Sequence, residues 1–262
     1  MARKGLTLLE VVVVVGVVSL LMALSLPALM RARNQAQGAV CIQNLKTLSF
    51  AWLLYKDDND DRIVGGQVGK YPYDWVQRPT GAGSMLERQQ EGIRRGALYR
   101  YAGNDVSVYR CPADQRKLIP GQIAYCSYSV AAGANGEEWQ NAYVQAEKYS
   151  DILQPATKYV FVEEADPRGW NRGSWVLNPF GQTWVDPLAI WHSRARSTLG
   201  YADGHAEIHH WVDESSMEMS RKQEFFYPVP VGQGEDLQFM VGGFPQKIAE
   251  ASQPPRSARP VY

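Results

Sequence analysis

Leu6-Thr-Leu-Leu-Glu10-Val-Val-Val-Val-Val-Gly-Val-Val-Ser-Leu-Leu-Met-Ala-Leu-Ser-Leu26 is an apolar stretch of 21 residues broken by one charge. As a helix rising ~1.5 Å per residue it spans roughly 30 Å, the thickness of a bilayer's hydrocarbon core. Its valine run and leucine-rich flanks are apolar all round, whereas an amphipathic surface helix keeps one apolar face. The stretch therefore reads as a membrane span. Arg3 and Lys4 precede it, and the positive-inside rule places the N-terminus in the cytoplasm. The bulk of the chain is then expected outside the cytoplasmic membrane, although Arg31 and Arg33 reduce the charge asymmetry.

A secretory signal peptide is the rival reading. Its apolar region is shorter and ends at a small-residue cleavage site, which Ala23-Leu24-Ser25 matches only loosely. Glu10 separates the two readings. A carboxylate inside an apolar span costs on the order of 2.5–3.5 kcal/mol and calls for a partner. Neither a plain anchor nor a signal peptide has a use for it, but a cationic amine on a neighbouring chain would match it.

Lys4-Gly5-Leu6-Thr7-Leu8-Leu9-Glu10 resembles the prepilin cleavage site of type IV pilins and type II secretion pseudopilins. The resemblance implies that a prepilin peptidase cuts between Gly5 and Leu6 and N-methylates Leu6. It also implies that Glu10 pairs with the terminal amine of an adjacent subunit during assembly. Pro27 lies where pilin-like helices often carry a proline, and it is expected to kink or locally loosen the helix where it leaves the membrane. Leu6 departs from the family's usual Phe at the first mature position. The implied partners are the peptidase, other pilin-like subunits, an inner-membrane assembly platform and the membrane itself.

Beyond the span, residues 28–56 lack proline and keep helical spacing. Cys41, Leu45, Leu48, Trp52 and Tyr55 make one apolar stripe, with Gln43, Lys46, Thr47 and Lys56 opposite. Something must cover that stripe, and the pilin-like solution is a sheet. The expected fold is α+β: a long N-terminal helix, membrane-spanning in its first half, packed on an antiparallel sheet with loop-rich additions. The expected divisions are a leader (1–5), a membrane half (6–27), an amphipathic half (28–56), a globular domain (57–252) and a disordered tail (253–262) rich in Pro, Arg and Ser.

In the globular part, Asp57, Asn59 and Asp61 have the alternate spacing of a calcium loop. Arg62 and Val68 stand where such a loop needs Gly and Glu, which leaves a polar turn. Gly96–Tyr101 reads as a short helix and Lys158–Glu163 as a strand. Glu163, Glu164 and Asp166 at its end read as a solvated edge. Cys111 and Cys126 are close enough for a local disulfide, with Cys41 competing for either.

Ser197–Ala202 and His205–Trp211 flank Asp203-Gly204, the dipeptide of a two-residue type I′ hairpin. That turn places Leu199 and Tyr201 on one face with Ala206, Ile208 and His210, and places His205, Glu207 and His209 on the other. Two histidines and a carboxylate alternating on one face are a candidate divalent-metal set. The polar face of an antiparallel sheet gives the same pattern and is preferred, so no cofactor is expected. His192 before Asp203-Gly204, Cys41–Lys46, Tyr55–Asp61 and Cys111-Pro112 are similar to a group of large prepilin-like proteins that end in a His…Asp-Gly hairpin.

Equal numbers of acidic and basic residues, 27 each, argue against a nucleic-acid partner held by a general field. No nucleophile motif or phosphate loop is apparent, so no enzyme is expected. The function expected is a structural pseudopilin of a type II secretion filament. The alternatives are a type IV pilin for adhesion or motility, or a membrane-tethered enzyme or glycan binder. Trp75, Trp139, Trp170, Trp175 and Trp184 serve equally as glycan platforms or as core.

Overall fold

A computed structural model describes residues 8–114, 116, 125–168 and 170–247. Gly5, Leu6 and the proposed tail lie outside the described residues. The chain is α+β, with a long N-terminal helix and an antiparallel sheet. Helix α1 (Leu8–Asp58) is continuous through Pro27. Asp60 and Asp61 then adopt left-handed backbone (φ 53° and 66°), and the Asp61 N–H turns back to the Lys56 carbonyl at 3.0 Å. Asp and Asn tolerate this conformation better than most residues, so the Asp-rich run stops the helix.

The main sheet has the order β3 (Tyr128–Val130), β5 (Tyr159–Glu163), β6 (Arg196–Tyr201), β7 (Ala206–His210), all antiparallel. Short pairs flank it: β1 (Gly65–Val68) with β2 (Asp74–Val76), and β4 (Val144–Gln145) with β8 (Gln246–Lys247). Helix α2 (Met85–Arg94) opens with a capping box in which Ser84 and Glu87 bond each other's backbone N–H. Helices α3 (Glu214–Lys222) and α4 (Glu235–Gly243) close the C-terminal side. Residues 96–104 form successive turns, not the short helix expected from sequence.

The stripe on α1 is buried as its spacing predicts. Cys41, Leu45, Leu48 and Trp52 have no exposed surface, and Gln43 and Lys46 on the opposite side are exposed. Each large apolar side chain taken from water contributes about 1.5–3 kcal/mol. The helix lies close to the sheet because Gly200 carries no side chain: a Cβ there would stand 2.7 Å from Ser49 Oγ. A second core fills the sheet's other face, where Leu199, Tyr201 and Trp211 meet Trp175, Trp184, Met219, Leu237 and Phe244. Trp75, Trp175 and Trp184 are sealed in these cores and are not glycan platforms.

The hairpin differs from the two-residue expectation. Gly204 has φ of 97°, and Asp203 is not in the positive-φ region that type I′ requires of it. The Tyr201 N–H instead bonds the His205 carbonyl at 2.9 Å, giving a three-residue loop. Pairing shifts by one, to Leu199 with Glu207 and Thr198 with Ile208. Because side chains alternate, that shift moves Leu199 and Tyr201 to the face of Glu207 and His209.

Trp52→Ala should lower the stability of the detergent-solubilised full chain by about 3–5 kcal/mol. Lys46→Ala should change it by less than about 0.5 kcal/mol. Urea unfolding followed by far-ultraviolet circular dichroism measures both.

Candidate metal centre

One row of residues crosses the sheet beneath α1. Tyr128 of β3 pairs with Glu163 of β5, and Thr198 of β6 pairs with Ile208 of β7. Between them the Thr198 N–H and hydroxyl donate to the two Glu163 oxygens at 3.2 and 2.9 Å, which fixes the carboxylate's rotamer. Glu163 is fully buried. The carboxylates at the end of β5 are therefore not a solvated edge. β5 is an interior strand, and loops on both sides close over its end.

Cys41 comes down from α1 onto this row. Cys111 arrives from the loop after the 3₁₀ turn Val106–Tyr109, and α1 itself holds that loop. Asn44 Nδ2 donates to the Arg110 carbonyl at 2.9 Å and Gln37 Nε2 to the Pro112 carbonyl at 3.0 Å. His192 comes from a tight turn closed by its own backbone pairing with Arg196. Inside that turn Arg194 and Ala195 both have left-handed φ, 63° and 51°. Such backbone costs roughly 1–2 kcal/mol per non-glycine residue, so His192 is held at an energetic cost.

The four side chains converge. Cys41 Sγ is 2.7 Å from Cys111 Sγ, Cys111 Sγ is 3.6 Å from His192 Nε2, and Nε2 is 3.1 Å from Glu163 Oε1. All four are buried, and their ligand atoms lie within 4.8 Å of one another. The imidazole and the two thiols shift one another's protonation. Burial disfavours a charged imidazole, but hydrogen bonds from its ring to Cys41 and Glu163 outweigh that and raise His192 to about 10. The contact with Cys111 lowers Cys41 against the opposing effect of burial. Burial, with Cys41 second, pushes Cys111 up.

Cys111 thus lies against Cys41, and the Cys111–Cys126 pairing considered from sequence is not formed. Bonds from α1 draw the Cys111 loop inward, whereas Cys126 Sγ donates to the Tyr128 carbonyl at 3.3 Å. The histidine–carboxylate set on β7 does not converge either. His205 Nδ1 bonds Asp203 at 2.5 Å, Glu207 accepts from the Tyr201 hydroxyl, and His209 stacks on Phe239 with ring centroids 3.9 Å apart. In the Asp57–Asp61 run, Asp57 meets Lys56, Asn59 donates to the Tyr55 carbonyl and Asp61 accepts from the Ser150 N–H. These three side chains serve separate partners.

The members of the convergent set lie 70, 81 and 29 residues apart in successive pairs, so no local spacing links them. Each was visible alone: Cys41 in the stripe, Cys111 beside a proline, Glu163 at a strand end and His192 before the hairpin. Compared with models of known protein families, with curated proteins and with solved structures, the chain matches none.

Beyond the centre, a second polar network lies against the same strand end. Arg116 bonds Asp114, Asn171 and the Cys126 carbonyl; Glu164 accepts from the Ser129 hydroxyl; and Asp166 holds Arg168 at 2.7 Å. Burial raises Glu164 well above the carboxylate range, and burial lifts Asp186 to about 7. An acid whose folded-state pKa is raised keeps its proton longer folded than unfolded. Folding therefore loses stability as pH rises from about 4 to about 7 through this group. Asp186→Asn should flatten that slope. Urea midpoints measured at pH 4, 5, 6 and 7 check it, and a slope unchanged from the parent chain would contradict the assignment.

Proposed function

We propose that this chain is a pilin-like structural subunit, anchored in the cytoplasmic membrane by the first half of α1 and assembled through it into a filament of the type II secretion kind. The observation that carries the reading is the division of one continuous helix into two environments. From Leu8 to Met30 its large apolar side chains are 41–82 % exposed, and from Cys41 to Tyr55 the stripe is sealed beneath the sheet. The helix is long and apolar enough to cross a membrane.

A rod with such a surface needs lipid or other apolar helices around it. A subunit stored in the bilayer and then stacked with copies of itself meets both needs, with the head carried outside the membrane. The rod is rigidly continuous with the head because no loop separates the two halves of α1. Glu10 lies in the helix's first turn, where the helix dipole favours an anion. In an assembled filament its carboxylate sets register against a neighbour's terminal amine.

Two outcomes follow. The mature chain isolated from membranes should begin at N-methylated Leu6 by intact-mass and peptide mass spectrometry; a start near residue 26 would replace this reading with a secretory signal. Glu10→Ala should leave that cleavage intact while reducing recovery of sheared filaments at least about tenfold, since a mispaired intramembrane charge costs kcal/mol-scale energy.

A further inference from the structure

We infer that Cys41, Cys111, Glu163 and His192 form a closed, four-coordinate zinc site that fastens α1 to the sheet. The inference does not depend on the pilin-like reading. It rests on what the four side chains need from one another. A single proton on His192 Nε2 can serve one acceptor, yet Glu163 Oε1 at 3.1 Å and Cys111 Sγ at 3.6 Å both face it, with Cys41 Sγ next to Cys111. Water is excluded, because all four residues are buried. A cation at their centre satisfies every one of these lone pairs at once.

The donor set selects the metal. Two thiolates and an imidazole suit zinc and exclude the hard cations calcium and magnesium, which take oxygen ligands. Ligands ~2.0–2.3 Å from a tetrahedral zinc stand roughly 3.3–3.8 Å from one another. The sulfur–imidazole and imidazole–carboxylate distances are near that range. The sulfurs, at 2.7 Å, part by about 1 Å to admit the ion. The groups that orient the ligands are already in place: Thr198 holds Glu163, and the Ala113 N–H donates to Cys111 Sγ at 3.4 Å.

A disulfide between Cys41 and Cys111 is the competing chemistry in an oxidising compartment. It leaves the convergence of Glu163 and His192 on the same two sulfurs without a use. The four ligands come from α1, the 106–114 loop, β5 and the turn before β6. Zinc there is structural, with all four positions taken by protein and none left for substrate.

The test uses the full chain in detergent, purified without chelators and under a thiol-free reductant. Zinc measured by inductively coupled plasma mass spectrometry should be near one per chain, and about tenfold lower in His192→Ala and in the Cys41→Ser/Cys111→Ser double variant. Cys126→Ser should keep it. If the ligand variants fail to fold, cobalt titration of the unaltered apo chain decides. The visible bands of tetrahedral cobalt and a sulfur-to-cobalt charge-transfer band are expected. Any of three results would overturn the site: no zinc and no cobalt spectrum, zinc retained by the double variant, or a Cys41–Cys111 disulfide in peptide maps of the non-reduced chain from its native membrane.

Discussion

Everything in the head is arranged around the contact between the stripe of α1 and the inner face of the β3–β5–β6–β7 sheet. A helix emerging from an apolar rod carries Leu45, Leu48, Trp52 and Cys41 along one side, and these side chains have no other surface to cover them. Their burial, at about 1.5–3 kcal/mol for each large apolar residue, is comparable in sum with the net stability of a whole domain. The contact therefore fixes where the sheet must lie. Gly200 and Ser49 let the two layers approach, and Asn44 and Gln37 on the helix flank capture the Cys111 loop. The helix is a template for the head as well as its stem.

That dependence explains what could be read from the sequence. The α1 stripe was legible because its period belongs to one element, and all five residues from Cys41 to Tyr55 are buried. Strand β5 and the two strands of the hairpin were legible from local composition. The hairpin register was not, because it turns on one backbone angle. Asp-Gly accommodates both a two-residue and a three-residue loop, and the tertiary demand to place Leu199 and Tyr201 in the second core selects the latter. A shift of one residue then reassigns every side chain on β6 relative to β7.

The convergent centre was illegible for a different reason. Its four residues are contributed by elements that meet only after the helix has docked, and no periodicity connects positions 41, 111, 163 and 192. Local reasoning instead singled out His205, Glu207 and His209, where spacing was regular, as a candidate set, and preferred to read them as the polar face of a sheet. Regular spacing on a strand places side chains on one face, but it does not make them converge. His205, Glu207 and His209 each found a neighbour of their own.

The end of β5 shows how one strand can serve two polar networks without merging them. Glu163 points under α1 to Cys41, Cys111 and His192. Glu164, one residue on and therefore on the opposite face, points to Ser129 in the region of Asp166 and Asp186. The two carboxylates have different surroundings. Glu164 is held above the usual carboxylate range by burial first and by its anionic neighbours second, and so keeps its proton. Glu163 accepts from the Thr198 N–H and hydroxyl and contacts the His192 imidazole. A buried carboxylate and an imidazole with two sulfurs beside them make a set of donors that a cation can hold together. A divalent ion there ties all four elements together. The same pleat that separates core from core thus also separates a proton-holding site from a cation-holding one.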